Sequence, residues 1–223
     1  MMRLGVLVPS PNTVLEPDSR LILPPNISMH TARMLLDGLS ADAELRMLDD
    51  QLKGAVAALA TTRPDLVVFA CTSATALLGA EAEQDLLDFI SRSCSAPAIS
   101  ANHAVRMVLT RADVSSVAVI TPYPEDLTMA VCRGIEEDGI AVSAQRSMGL
   151  SDVHEIAMIS VGEIVQWAID AAQDSSTEAI FLSCTNLRAV EAARRLRELL
   201  DIPIITSNGA LLAEAISAME AAQ

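Results

Sequence analysis

The sequence predicts an α/β protein of two pseudo-symmetric lobes, each a mainly parallel sheet covered by helices, and three observations carry that prediction. Short β-branched runs alternate with longer amphipathic stretches from end to end, the pattern of strand–helix–strand units. The strand candidates are nearly continuous in apolar residues, which suits parallel strands buried on both faces. Three short motifs also recur in the same order in the two halves. Val-Phe-Ala-Cys71-Thr72 returns as Ile-Phe-Leu-Ser-Cys184-Thr185, and Pro9-Ser10-Pro11 returns as Pro122-Tyr123-Pro124, both 113 residues on. Pro97-Ala-Ile-Ser-Ala-Asn102 returns as Pro203-Ile-Ile-Thr-Ser-Asn208, 106 residues on, so a seven-residue deletion after Cys184 reconciles the offsets. An internal duplication explains all three pairs.

Taken in order, the first strand spans 3–8 and is stopped by Pro9. A turn at Pro11-Asn12 leads to a short helix at 13–20, and strand 27–33 follows. A long amphipathic stretch, 41–61, reads as a helix closing before Pro64. Strand 65–70 ends on Cys71, and helix 74–92 follows it. Pro97 opens strand 97–100, where a missing N–H costs least; Asn102 then caps helix 102–111. The second half repeats the order: strand 116–121, helix 124–138 closing on Glu136-Glu137-Asp138, strand 140–145, helix 153–173, strand 178–183, helix 186–199, strand 202–206 and helix 208–221 capped by Asn208. No low-complexity linker separates the halves. The first lobe is expected at 1–101 with 208–223 and carries Cys71; the second is expected at 102–207 and carries Cys184.

Composition narrows the function. Hydrophobic residues make up 51% of the 223 positions but aromatics only 2%, so the core must be built from Ala, Val, Ile, Leu and Met. A net charge of −14 and a pI near 4.5 argue against nucleic acid, which demands clustered cations. A small anion can still bind where a pocket offers N–H donors. No apolar run approaches the ~20 residues of a membrane helix, and the apolar start before Pro9 is too short for a secretory leader; a cytoplasmic protein is expected. Four cysteines with no Cys-x-x-Cys are not a disulfide framework, and His30, His103 and His154 lack metal-ligand spacing, so no metal is expected.

Cys71 and Cys184 each follow an apolar strand and precede a helix, at the sheet edge where ligands bind in open α/β folds. A helix N-terminus lowers a thiol pKa, while burial raises it. Thr72, Ser73, Thr185 and Asn186 supply donors beside the two sulfurs, and unpaired N–H groups there suit a carboxylate. Asn12 either grips a substrate carboxylate or caps the following helix. Tyr123 holds the position that Ser10 holds in the first lobe, and either donates to an anion or fills the seam. His154 either opens a helix as a solvated residue or faces the cleft as an acid or carboxylate ligand, and Arg188 either neutralises an anion or ties the lobes together. Cys94 and Cys132 lack partners in the repeat and are read as inert.

At Pro9-Ser10-Pro11-Asn12-Thr13, Ala70-Cys71-Thr72-Ser73, Thr121-Pro122-Tyr123 and Ser183-Cys184-Thr185-Asn186 the chain resembles the maleate cis-trans isomerase family. That family lies within the aspartate/glutamate racemase superfamily, beside the arylmalonate decarboxylases. The resemblance covers essentially the whole chain. It implies cofactor-free cysteine chemistry on a small carboxylate and a homodimer or higher homo-oligomer. In its terms Cys71 adds to an alkene carbon, Cys184 handles the proton on the other face, and Asn12 and Tyr123 bind carboxylate. The family's substrate-contacting asparagine near Asp152 is replaced by Val153, implying a less polar or differently shaped substrate. Three other activities fit two such cysteines less fully: racemisation or epimerisation of an acidic amino or hydroxy acid, decarboxylation of a substituted malonate, and silent binding of a carboxylate metabolite.

Overall fold

The computed structural model describes residues 1–173 and 176–222. Residues 174, 175 and 223, which the expected lobe spans include, lie outside the described residues. Four parallel strands, β1 (Met2–Pro9), β2 (Ile27–Met34), β3 (Leu66–Phe69) and β4 (Ala98–Ser100), form one sheet in the order β2-β1-β3-β4. The strands β5 (Ser116–Thr121), β6 (Ala141–Ser147), β7 (Ala179–Leu182) and β8 (Ile204–Thr206) form the second, in the order β6-β5-β7-β8. The repeat in the sequence is also the repeat in register. Leu4 pairs with Leu66 as Val117 pairs with Ala179, and Val67 pairs with Ala98 as Ile180 pairs with Ile204. The central strands β1, β3, β5 and β7 are buried along almost their whole length, whereas the edge strands β2 and β6 are half-buried.

Nine helices cover these sheets among the described residues: α1 (Leu15–Ile22), α2 (Ala41–Ala60), α3 (Thr72–Cys94), α4 (Ala101–Arg111), α5 (Glu125–Glu137), α6 (Val153–Met158), α7 (Val161–Ala171), α8 (Ala189–Leu199) and α9 (Ser207–Ala221). Strand alternation divides the apolar residues between two clusters. Leu7, Val67 and Phe69 face α2 and α3 with Met47, Val56 and Ile90. Leu4, Val6, Val8 and Val68 face the other way and join Val119, Phe181, Leu211 and Leu212 in a core continuous through both lobes. The equivalent helices α4 and α9 pack on each other at the seam, α9 also reaching α1 and β3. None of the described helices is long and apolar enough to cross a membrane.

Local chemistry shifts four expected boundaries. The helix expected at 153–173 is two helices, because Ser160 caps α7 and Glu163 returns the bond in a capping box, a Ser-x-x-Glu signature. Helix α8 begins at Ala189 rather than 186, since Cys184 sits at φ +124° and the following residues form turns. Helix α1 begins at Leu15, its first amides taken by Asn12. The caps of α4 and α9 are Ser100 and Thr206, not the expected Asn102 and Asn208. Helix α3 kinks at Gly79, whose φ of +74° is a left-handed value that glycine adopts without steric cost.

Candidate active site

Because β3 and β7 are equivalent strands, both thiols arrive at the same edge of the molecule, one from each lobe. Between them lies a cavity of about 20 Å³ lined by Pro9, Asn12, Glu44, Cys71, Thr72, Ser73, Tyr123, Cys184, Thr185 and Asn186. Its remaining wall is aliphatic: Leu36 and Leu39 from the segment before α2, Val153 and Ile156 from α6. That volume holds about one water molecule. Cys71 is 4% exposed and Cys184 5%, so bulk solvent hardly reaches either sulfur. Of the residues singled out in the sequence, the structure gathers Cys71, Cys184, Asn12, Thr72, Ser73, Tyr123, Thr185 and Asn186 around this one space. Ser10 stands apart from the lining; its hydroxyl accepts from the Leu36 amide at 3.2 Å and fixes the segment that carries the aliphatic wall.

The two thiols have opposite surroundings. Cys71 is the N-cap of α3, and its sulfur faces an acceptor: it donates to Glu44 Oε2 at 3.2 Å. The Ser73 hydroxyl lies 3.5 Å from the same sulfur and donates to Glu44 Oε1 at 2.5 Å. Cys184 instead sits among donors. The Asn186 amide donates to its sulfur at 3.3 Å, and the Tyr123 hydroxyl and the Leu187 amide also reach it. Cys184 is not at the helix terminus expected of it, for α8 starts five residues later. Its backbone instead turns at positive φ, and its own N–H is held by Ser207 Oγ at 3.0 Å.

Burial governs the electrostatics and overrides the helix-terminus effect expected of the thiols. It pushes Cys71 well above its ordinary pKa, the Glu44 charge adding to the rise against opposing bonds from Ser73 and the Ala74 amide. Burial pushes Cys184 up to about 11, with the Tyr123 hydroxyl and the Asn186 amide pulling the other way. Tyr123, 1% exposed, is raised well above its usual value by burial and then by Cys184. Glu44 is raised by burial against the bonds from Ser73 and Cys71. Both thiols therefore rest protonated at neutral pH.

The polar side chains around the cavity also lock the lobes together. Asn12 Oδ1 accepts from the Val14 and Leu15 amides, while its Nδ2 donates across the seam to Thr185 Oγ1 at 3.0 Å. Thr185 Oγ1 donates onward to the Ala70 carbonyl. Asn186 accepts from the Thr13 amide and donates to the Val153 carbonyl. Thr72 Oγ1 donates to Ser207 Oγ. Asn12 thus performs the capping role and lines the cavity as well. The Thr72 and Ser73 amides precede the first intrahelical bond of α3 and remain for a ligand oxygen, while the Ala74 amide reaches the Cys71 sulfur. His154 is exposed at the start of α6, and Arg188 pairs with Glu191 in its own helix rather than across the seam. Cys94 and Cys132 are buried away from the cavity.

Sequence reasoning overlooked Glu44, Leu36, Leu39 and Ile156. The signal for Glu44 was present: it shares a face of α2 with Met47, Ala55 and Leu59, all buried, so a carboxylate stands on an apolar stripe where charge is costly.

Comparison with known proteins follows the same lines. The family model described as arylmalonate decarboxylase matches residues 4–223. A maleate isomerase of Nocardia farcinica is 26% identical over 206 residues, covering 86% of this chain and 81% of its own. A cysteine-to-serine mutant of Nocardia farcinica maleate cis-trans isomerase with a covalently bound succinylcysteine intermediate superposes with a TM-score of 0.91 at 22% identity, covering 98% of this chain and 93% of its own. A maleate isomerase of Pseudomonas putida S16 with maleate gives 0.90 at 22% identity, covering 98% and 92%.

Proposed function

The chain belongs to the arylmalonate decarboxylase family, and from that premise we propose that it is a cofactor-independent cis-trans isomerase of a small unsaturated dicarboxylate, maleate or a relative. The observation that carries this reading is the pair of buried thiols, one per lobe, on either side of a single cavity. The maleate isomerase relatives support it.

The chemistry follows from the surroundings of each sulfur. Cys71 adds to one alkene carbon once its proton is removed, and the double bond becomes a single bond free to rotate. Charge pushed toward the neighbouring carboxylate needs fixed donors, which the first-turn amides of α3 and the Tyr123 hydroxyl supply. Cys184, held protonated with a pKa of about 11, gives a proton to the adjacent carbon and takes it back. Elimination of Cys71 then releases the trans isomer.

We assign 1–101 with 208–223 to the Cys71 lobe and 102–207 to the Cys184 lobe; the packing of α9 on α1 and β3 supports the return of the C-terminal helix to the first. Cytoplasmic location and a homodimer belong to the same proposal, and light scattering on a sizing column reads the assembly. A second reading has its own observation. Leu36, Leu39, Val153 and Ile156 make one wall aliphatic, which favours a carboxylate bearing an apolar substituent, racemised by the two thiols or decarboxylated with Cys184 alone as the proton donor. Proton NMR of the protein with maleate in deuterated buffer, beside tubes of aspartate and phenylmalonate, separates the two. Fumarate growing from maleate supports isomerisation; exchange or carbon dioxide loss only in another tube replaces it with the second reading.

A further inference from the structure

We propose that Glu44 is the proton acceptor for Cys71, a catalytic carboxylate supplied by α2 rather than by either cysteine motif. Glu44 is 1% exposed and points both oxygens at the nucleophile's surroundings. Oε2 accepts from the Cys71 thiol at 3.2 Å and Oε1 from Ser73 Oγ at 2.5 Å. In its ionised form this carboxylate accepts a donor on each oxygen and is placed to take the thiol proton. Among the described residues no arginine or lysine forms an ion pair with it. A buried anion without an ion pair is costly, and among the described residues its side-chain hydrogen bonds come from Cys71 and Ser73.

Cys71 needs such a partner. Only the thiolate is nucleophilic, and burial keeps this thiol protonated. Among the described residues no carboxylate bonds to Cys184, which sits among donors, so the two sulfurs divide the work. In the addition step the proton moves from Cys71 Sγ to Glu44 Oε2 and a sulfur lone pair forms the C–S bond. The alkene π pair moves to the neighbouring carbon and its carboxylate. Elimination reverses each move and leaves Glu44 ionised. Burial raises the proton affinity of Glu44 toward that of a working base. The inference rests on the two-thiol reading above, but its test needs no substrate.

The decisive experiment compares alkylation of the native protein and Glu44→Gln by iodoacetamide at neutral pH, with mass spectrometry resolving the Cys71 and Cys184 peptides. Cys184 shares the cavity and shows that the reagent still enters, its own rate rising as the Glu44 charge that raises its pKa is removed. The expected result is a fall of about a hundredfold in the Cys71 rate of the variant against the Cys71 rate of the native protein, the lower range for loss of a general base. An unchanged or faster rate overturns the proposal, since a carboxylate that merely repels the thiolate predicts acceleration. Infrared difference spectra of the native protein give a second measurement that does not depend on folding of the variant. Alkylation of Cys71, which removes the thiol donor from Glu44, should shift the carboxylate bands of Glu44, a change missing in Cys71→Ala. A protonated-acid band of Glu44 beforehand, or unshifted carboxylate bands afterwards, overturns it. A failed maleate assay with both signatures intact would instead sink the isomerase reading alone.

Discussion

Asn12 and Thr185, 173 residues apart in sequence, meet at 3.0 Å across the seam between the lobes. The same asparagine holds the Val14 and Leu15 amides at the start of α1 through its Oδ1. Replacing Asn12 with Ala therefore removes a helix cap and an interlobe bond together. Each loss costs roughly 1 kcal/mol, so urea unfolding should show a loss of about 2 kcal/mol with an unchanged m-value. A change below about 0.5 kcal/mol would mean the contact contributes nothing beyond what water supplies.

Removal of either sulfur separates the roles of the two cysteines. Cys71→Ala and Cys184→Ala should each lower turnover of maleate at least 10³-fold, on the order of losing a member of a cooperating pair. Mass spectrometry of Cys184→Ala after incubation should find substrate mass retained on the Cys71 peptide. Full activity in either variant excludes a two-thiol mechanism.

Tyr123→Phe deletes a donor to the Cys184 sulfur. The hydroxyl lowers that thiol's pKa, so its loss must raise it above the present value of about 11. Ultraviolet titration of thiolate in a Cys71→Ala background should show the later onset. Turnover should fall by roughly 10²-fold, the scale of one preorganised donor. An unshifted titration would remove Tyr123 from the site's chemistry.

Val153→Asn replaces part of the aliphatic wall with an amide. A new hydrogen bond to a charged carboxylate is worth about 1.5–3 kcal/mol, so kcat/KM for a dicarboxylate should rise roughly tenfold or more. If it instead falls while an aryl- or alkyl-substituted acid remains a good substrate, the apolar wall is the specificity element and the second reading prevails.

Stability should depend on pH with a sign set by Asp18 and Glu44. Burial raises both carboxyls above their usual values. Each contributes stability that is fully present below its ordinary pKa and is lost as pH rises through the raised one. The slope per group is at most about 1.4 kcal/mol per pH unit. Unfolding free energies measured by urea from pH ~4.5 upward should decline less in Glu44→Gln than in the native protein. Parallel curves would contradict the burial argument.

The architecture was legible because its signals are local or repeated. Apolar strands bounded by Pro9, Pro97 and Pro203 announce themselves, and the recurrence around Cys71 and Cys184 fixes which strands are equivalent. The catalytic carboxylate was not legible in the same way. Glu44 reads as an acidic residue in the first turn of a helix, where charge needs no other explanation, and its partner lies 27 residues further on. Leu36 and Leu39 belong to an irregular segment whose side chains no periodicity orients. The division of 153–173 was legible and missed, for Ser160 and Glu163 spell the capping box.

A chamber with room for one water has an isotopic consequence. On the isomerase reading, the carbon beside the new C–S bond takes its hydrogen from Cys184 and hands the same atom back as the bond breaks. With both sulfurs at most 5% exposed, the product formed early in heavy water should therefore keep its original hydrogens.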